Sequence, residues 1–237
     1  MKHLTIMVVI GFISLSINAQ KVIEKSIPYT NQIIDVDLKF ASNIDVKTWD
    51  KNTVYFKADI YTEDSQFQEF YKLHIEEKSG EIYITSEAEA VFKAYRKDCL
   101  EKNPDKKRNC YNTGDLTEFN YVLYVPKNAK FKISSINGDL KSEVIEGDFT
   151  ADLINGNIDI KKYSGNLDLK TINGEIDLVM ANSRLTAETI HGQIYADEKL
   201  DLKVTDRYVG QKVEGSFNNA TNRLRLNTIN GNMYLRL

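Results

Sequence analysis

The sequence is poor in the residues on which many chemistries depend. It has 3 prolines, 2 cysteines and 3 histidines among 237 residues. With 12 glycines and so little proline, collagen-like, Pro-rich and low-complexity chains are excluded. Two Cys and three His leave little room for a multi-ligand zinc or iron–sulfur site, and no metal or cofactor is called for. No excess of basic charge is present: Lys+Arg 31 against Asp+Glu 34 gives a net charge of −3. A nucleic-acid partner is therefore not expected. No apolar run reaches the roughly 20 residues that a membrane-spanning helix needs.

The longest apolar run is Leu4 to Ile17, 14 residues behind Lys2 and His3. Its length fits a signal-peptide core, with small and polar residues following up to Gln20. The expectation is a signal peptide over 1–19 with cleavage after Ala19; an uncleaved N-terminal anchor is the alternative. No Cys near the cut offers a lipid attachment point. The exported chain then spans 20–237 without a transmembrane segment and works in the periplasm, on the cell surface or outside the cell. An oxidising compartment favours a disulfide between Cys99 and Cys110, which are separated by ten residues of a polar loop.

What the sequence has in abundance is periodicity. Gly138, Gly147, Gly156, Gly165 and Gly174 are spaced by nine, and Ser183 and Gly192 continue the series. A finer motif recurs every 18 residues: Ile136-Asn137-Gly138, Ile154-Asn155-Gly156, Ile172-Asn173-Gly174 and Ile190-His191-Gly192. Ile229-Asn230-Gly231 restores it near the C-terminus. Two residues after each glycine slot stand Leu140, Phe149, Ile158, Leu167, Ile176, Leu185 and Ile194, and polar residues follow them. This is the alternation of strands with one buried face. The column two before the slot, with Ile136, Ile154, Ile172 and Ile190, has the same parity and is expected on that face.

Asn-Gly between strands allows an antiparallel meander. A repeat of the whole motif at 18 favours instead an all-β, parallel β-solenoid, with two nine-residue strand-turn units per coil. Stacked coils put Asn137, Asn155, Asn173 and His191 over one another as a turn ladder, with Gly138, Gly156, Gly174 and Gly192 at the corners. Asn230 and Gly231 belong to the same class of turn. The N-terminal portion, 20–134, reads as β-rich but irregular. Strands are expected over 33–38, 44–47, 54–58 and 121–126, with two more around a Ser-Gly turn in 73–85 and a short helical turn within 63–71. Residues 87–118 read as an insertion stapled by the Cys pair, and 135–237 as the repeat region. No linker divides the chain, so one continuous β domain is expected, with the irregular start and 197–222 covering the ends.

The Ile-Asn-Gly repeats, the lead-in Val125-Pro126-Lys127-Asn128-Ala129-Lys130 and the closing run Leu226 to Leu235 together resemble a known family. Ile44 to Asp50 followed by Val54 matches its early strand pair. It is the bacterial putative-adhesin family of exported β-strand-repeat proteins, a domain of unknown function. The resemblance covers about 30–237, apart from 87–118. It implies an exported β-helix-like protein and names no catalytic residue.

Chemistry beyond this is sparse. A calcium β-roll needs a second glycine and a fixed Asp in each unit, and both are missing. Asp159 and Asp177 are the acid pair that the periodicity brings together, with Lys141 in the same column. Apart from Lys141, the periodicity brings no Lys, Arg or His beside them, as an enzyme would require. His74 and His191 are not tied to each other. Trp49 and the tyrosines could line a carbohydrate-binding face, and 102–108 is a basic stretch. Asn219-Ala220-Thr221 matches a glycosylation acceptor. The reading is a non-enzymatic envelope interaction or adhesion module, whose candidate partners are an envelope glycan or another protein. A periplasmic accessory protein without an external ligand is the alternative, and a carbohydrate-active enzyme the third.

Overall fold

The computed structural model describes residues 20–104, 110, 116–217 and 220–237. The expected signal segment 1–19, most of the 102–108 stretch and Asn219 lie outside the described residues. The described residues are all-β apart from one α-helix and a short 3₁₀ turn, and their strands join into a mixed sheet of parallel and antiparallel pairs.

The strands form two columns that enclose one core. The N-terminal portion supplies β1 (Lys21–Pro28), β2 (Ile33–Leu38), β3 (Phe40–Trp49), β4 (Thr53–Thr62), β5 (Lys72–Lys78), β6 (Glu81–Glu87) and β7 (Thr117–Pro126). The middle supplies β8 (Ala129–Ser142), β9 (Ile145–Asn155), β10 (Ile158–Ile160), β11 (Tyr163–Ser164), β12 (Leu167–Thr171) and β13 (Ile176–Val179). The last part supplies β14 (Ser183–Thr189), β15 (Ile194–Ala196), β16 (Leu202–Asp206), β17 (Gln211–Ser216), β18 (Asn222–Thr228) and β19 (Met233–Arg236). In one column β6, β2, β8, β9, β12, β18 and β14 follow one another in parallel. In the other the parallel order is β7, β3, β8, β10, β13, β19 and β15. We call one strand of each column, at the same level, a tier.

Alternation fixes the faces. Leu167, Leu169 and Thr171 of β12 are buried, while Asp168 and Lys170 between them are half-exposed. In the repeats, Leu140, Ile158, Ile176 and Met233 stack through successive tiers, each 1% exposed or less. Aromatic rings pack in the N-terminal half and at its junction with the repeats: Phe131 stacks on Phe149 at 4.5 Å, and Phe56 on Tyr121 at 5.7 Å. Tyr163 points inward and Tyr195 outward.

Three features depart from the sequence reading. First, the tiers are not in chain order. β18 and β19 lie between β12/β13 and β14/β15, so the closing strands occupy the level expected for 183–196. At the other end β2 and β3 lie between β6/β7 and β8. Periodicity reports spacing along the chain and cannot see such an exchange of levels.

Second, antiparallel pairs finish the ends, so the sheet is mixed where a parallel stack was expected. β17 and then β16 continue from β14, β5 pairs with β6, and β4 and β1 continue from β7. They cover strand edges that would otherwise template pairing with another chain. Ser79 and Gly80, at φ 56° and 81°, make the two-residue turn that joins β5 to β6.

Third, the insertion holds an α-helix, α1 (Glu89–Lys102). Ala, Glu and Lys favour a helix, and Val91 and Tyr95 at i and i+4 give it a buried face. Tyr95 packs its ring 4.0 Å from that of Phe67 in the 3₁₀ turn Ser65–Phe70, and its hydroxyl accepts from the Asp64 N–H at 3.0 Å. Cys99 of α1 is disulfide-bonded to Cys110. The 134/135 boundary drawn between irregular and repeat regions falls inside β8 and is not a structural division.

Candidate functional site

The repeated corner of the columns is the most ordered constellation on the surface. Asn155 Nδ2 donates to Asn137 Oδ1 at 3.0 Å, Asn173 Nδ2 to Asn155 Oδ1 at 2.8 Å, and Asn230 Nδ2 to Asn173 Oδ1 at 2.7 Å. Asn230 therefore takes the place next to Asn173 at which His191 was expected. His191 follows one level further, with its N–H on the carbonyl of Ile229.

The glycines of this corner keep the same order, 138, 156, 174, 231, 192. A Cβ on Gly156 would overlap the carbonyl oxygen of Gly138, and one on Gly231 that of Gly174. Close backbone approach, rather than left-handed φ, demands glycine at these two positions.

Sequence reasoning missed the inner half of the motif. Three residues before the glycine, Thr171, Thr228 and Thr189 are buried. Their hydroxyls donate to the carbonyls of Gly156, Gly174 and Gly231 at 2.9, 3.0 and 3.1 Å. Ser135 plays the same part against Leu38 and Asn137. These hydroxyls satisfy carbonyls that the corner takes out of the strand ladders. The signal was the Ser/Thr recurring at that offset, with Leu153 as the exception.

The residue after the glycine, where a β-roll would hold calcium, bonds instead to the next tier. Asp139 Oδ1 accepts from the Asn157 N–H and Asn157 Oδ1 from the Glu175 N–H, both at 2.9 Å. Asn232 Oδ1 accepts from the Gln193 N–H at 3.0 Å.

The parity assigned to the isoleucine column is corrected. Ile145 and Tyr163 are buried as expected, but Ile154, Ile172 and Ile190 are 39%, 38% and 44% exposed. The strand runs on through inward Thr171 before the chain turns, so Ile172 faces out. A parity carried across the corner is shifted by one.

Asp159 and Asp177 do lie side by side on β10 and β13. Each has its own cation. Lys161 Nζ is 2.7 Å from Asp159, and Arg236 binds Asp177 through two nitrogens at 2.7 and 2.6 Å. The Asp159 hydrogen bond raises the Lys161 pKa, and the Asp177 hydrogen bond raises that of Arg236. Lys141 is the neighbour of Asp159 on the other side, in β8.

Trp49, Tyr55 and Tyr124 meet on the outer face of β3, β4 and β7, with ring centroids 4.9 to 6.3 Å apart. Lys51 Nζ lies 4.7 Å from the Trp49 ring, and the indole N–H donates to the Thr53 carbonyl at 2.7 Å. The cluster is satisfied from within. His74 stands 3.5 Å from Glu87 on β5 and β6, and no group of three or more potential metal ligands occurs among the described residues.

A pocket of about 200 Å³ opens near the β16–β17 hairpin between Met180, Leu185, Leu200, Leu202 and Phe217. It is smaller than the about 300–1,000 Å³ common for small-molecule sites. Among the described residues no helix is long and apolar enough to cross a membrane.

Neither a protein-family model nor a curated protein matches the sequence. Solved structures are similar in fold. A putative cell adhesion protein from Clostridium sporogenes aligns over 92% of this chain and 99% of its own, with a TM-score of 0.58 and 9% identity. A putative adhesin from Bacteroides fragilis aligns over 92% and 98%, with a TM-score of 0.42 and 10% identity. At such identities the first likeness is one of fold: this chain shares the architecture of the clostridial protein over 92% of its length.

Proposed function

We propose that the chain is a non-enzymatic interaction or adhesion module of the cell envelope. It is built as one domain over 20–237, a β-solenoid of 18-residue coils with antiparallel caps, and related to the adhesin-like repeat family. The observation that carries this reading is the fold likeness, over 92% of the chain, to a putative cell adhesion protein. Function taken from fold is analogy, so the surface must bear it out. The surface agrees: its repeats offer long, regular strand faces, and the two carboxylates suited to acid–base work are each held by a cation. The Cys99–Cys110 disulfide fits an oxidising compartment outside the cytoplasm.

Protease shaving of intact cells, with fractionation and an antibody against residues 20–237, tests the proposal. Loss of the protein from intact cells supports adhesion. Protection until the outer membrane is opened rejects it in favour of an accessory protein inside the envelope.

A further inference from the structure

Ile136, Ile154, Ile172, Ile229 and Ile190 occupy the same corner in five successive tiers. The Asn173 N–H donates to the Ile154 carbonyl at 2.7 Å, the Asn230 N–H to that of Ile172 and the His191 N–H to that of Ile229, both at 2.8 Å. Three of the five isoleucines are more than a third exposed. A row of large apolar side chains on the surface calls for an explanation, where scattered single ones would not. At a tier spacing of about 4.8 Å the row is roughly 19 Å long.

The Asn ladder runs directly beside it. A carboxamide has two N–H donors and a carbonyl oxygen with two lone pairs. Within the ladder Asn155 and Asn173 each use one N–H and one lone pair, and both residues are exposed. At each of these two tiers one donor and one acceptor therefore remain for a ligand. The ladder fixes their orientation in advance, which reduces the entropy lost on binding.

We propose that this corner binds an extended, linear β-linked polysaccharide, one sugar unit per tier, with apolar ring faces on the isoleucines and hydroxyls on the asparagine amides. The pitch selects this class. In an extended 1,4-β-linked polysaccharide each ring advances by close to the tier spacing; successive rings are turned over, but each still presents an apolar face and hydroxyls that donate and accept. A peptide strand laid along the row repeats its same-side residues only every 6.6–6.8 Å or so, and falls out of step. A lipid surface supplies no matching row of polar groups. The inference rests on the adhesion reading and names its ligand class.

The test uses purified 20–237 with suspensions of cellulose and of chitin, reading depletion from the supernatant. Retention on at least one is expected, displaced by the corresponding soluble hexasaccharide and not by the monosaccharide. The double variant Ile154→Thr/Ile172→Thr should bind at least tenfold more weakly, and Asp45→Ser, on the outer face of β3, should bind as the parent. Circular dichroism and melting curves establish that the variants are folded, and displacement by hexasaccharide is read on the parent protein alone. Retention on neither polymer, displacement by monosaccharide alone, or unchanged binding by a folded Ile variant overturns the proposal. These outcomes are independent of cell shaving: a surface-exposed protein that ignores both polymers keeps the adhesion reading and loses the glycan.

Discussion

Asn230 donates its amide hydrogen to Asn173, 57 residues earlier in the chain, at 2.7 Å. This bond marks where the closing strands β18 and β19 enter between tiers already laid down. They bring Leu224, Leu226, Met233 and Leu235, all buried, into the middle of the stack. Each such side chain contributes about 1.5–3 kcal/mol by burial. Removing 220–237 is expected to release 183–217 from the body and to leave the N-terminal tiers folded. Limited proteolysis with mass spectrometry should then find cleavage concentrated in 183–217. Undiminished resistance there would sink the interleaved order.

Ile176 and Asp177 are neighbours with opposite fates. Ile176 is fully buried, whereas Asp177 lies on the outer face beside Arg236. Ile176→Asp places a carboxylate in the core and should cost about 4 kcal/mol or more. Asp177→Ala removes a partly exposed ion pair and should cost about 1 kcal/mol or less. Denaturant midpoints of the two variants measure the contrast, and equal losses would refute the register of β13.

Two glycines separate crowding from backbone conformation. In Gly231→Ala the new methyl meets the Gly174 carbonyl, and a loss of about 3 kcal/mol is expected. Gly80 has φ +81° but open space around it, so Gly80→Ala should cost only about 1 kcal/mol. Thermal unfolding of the pair gives the ranking, and the reverse order is incompatible with the tier contacts at the corner.

Tyr71 and Tyr121 share a buried hydrogen bond of 3.2 Å between their hydroxyls. Burial is the main cause that raises both phenol pKa values, with the neighbouring phenol adding to it for Tyr71. In the unfolded chain they ionise near about 10. Above that pH the unfolded state has lost protons that the folded state still holds, so stability falls as pH rises. Their contribution is complete below about pH 10 and declines above it. Urea midpoints followed from neutral to strongly alkaline pH should therefore drop past that point, less steeply in Tyr71→Phe. A midpoint that stays level through the tyrosine range would contradict the burial of the pair.

The parts of the fold legible in the sequence were those written at short range. Alternation in Ile33–Leu38 or Leu167–Thr171 needs only the pleat, and the 18-residue echo of Asn137, Asn155 and Asn173 places them in one column. The level of Asn230 was hidden, because pairing between 173 and 230 leaves no mark in local spacing. α1 was hidden by its polar sequence, in which only Val91 and Tyr95 are buried. The exposed isoleucines were misassigned because the corner changes the parity of the strand, which no two-residue period can carry. Thr171, Thr189 and Thr228 were legible in principle, since their offset from the glycine is constant.

The exchange of levels at both ends has a consequence for how the chain is born. A polypeptide emerging N-terminus first presents β2 and β3 early, yet their parallel partners in β6, β7 and β8 come later. The level between β13 and β15 stays unfilled until the last residues arrive. The N-terminal extremity can close once β8 has emerged, whereas the other cannot be finished before β18 and β19 arrive. Prematurely terminated copies therefore lack a middle level, and β14 and β15 are left without their parallel partners and open to proteases.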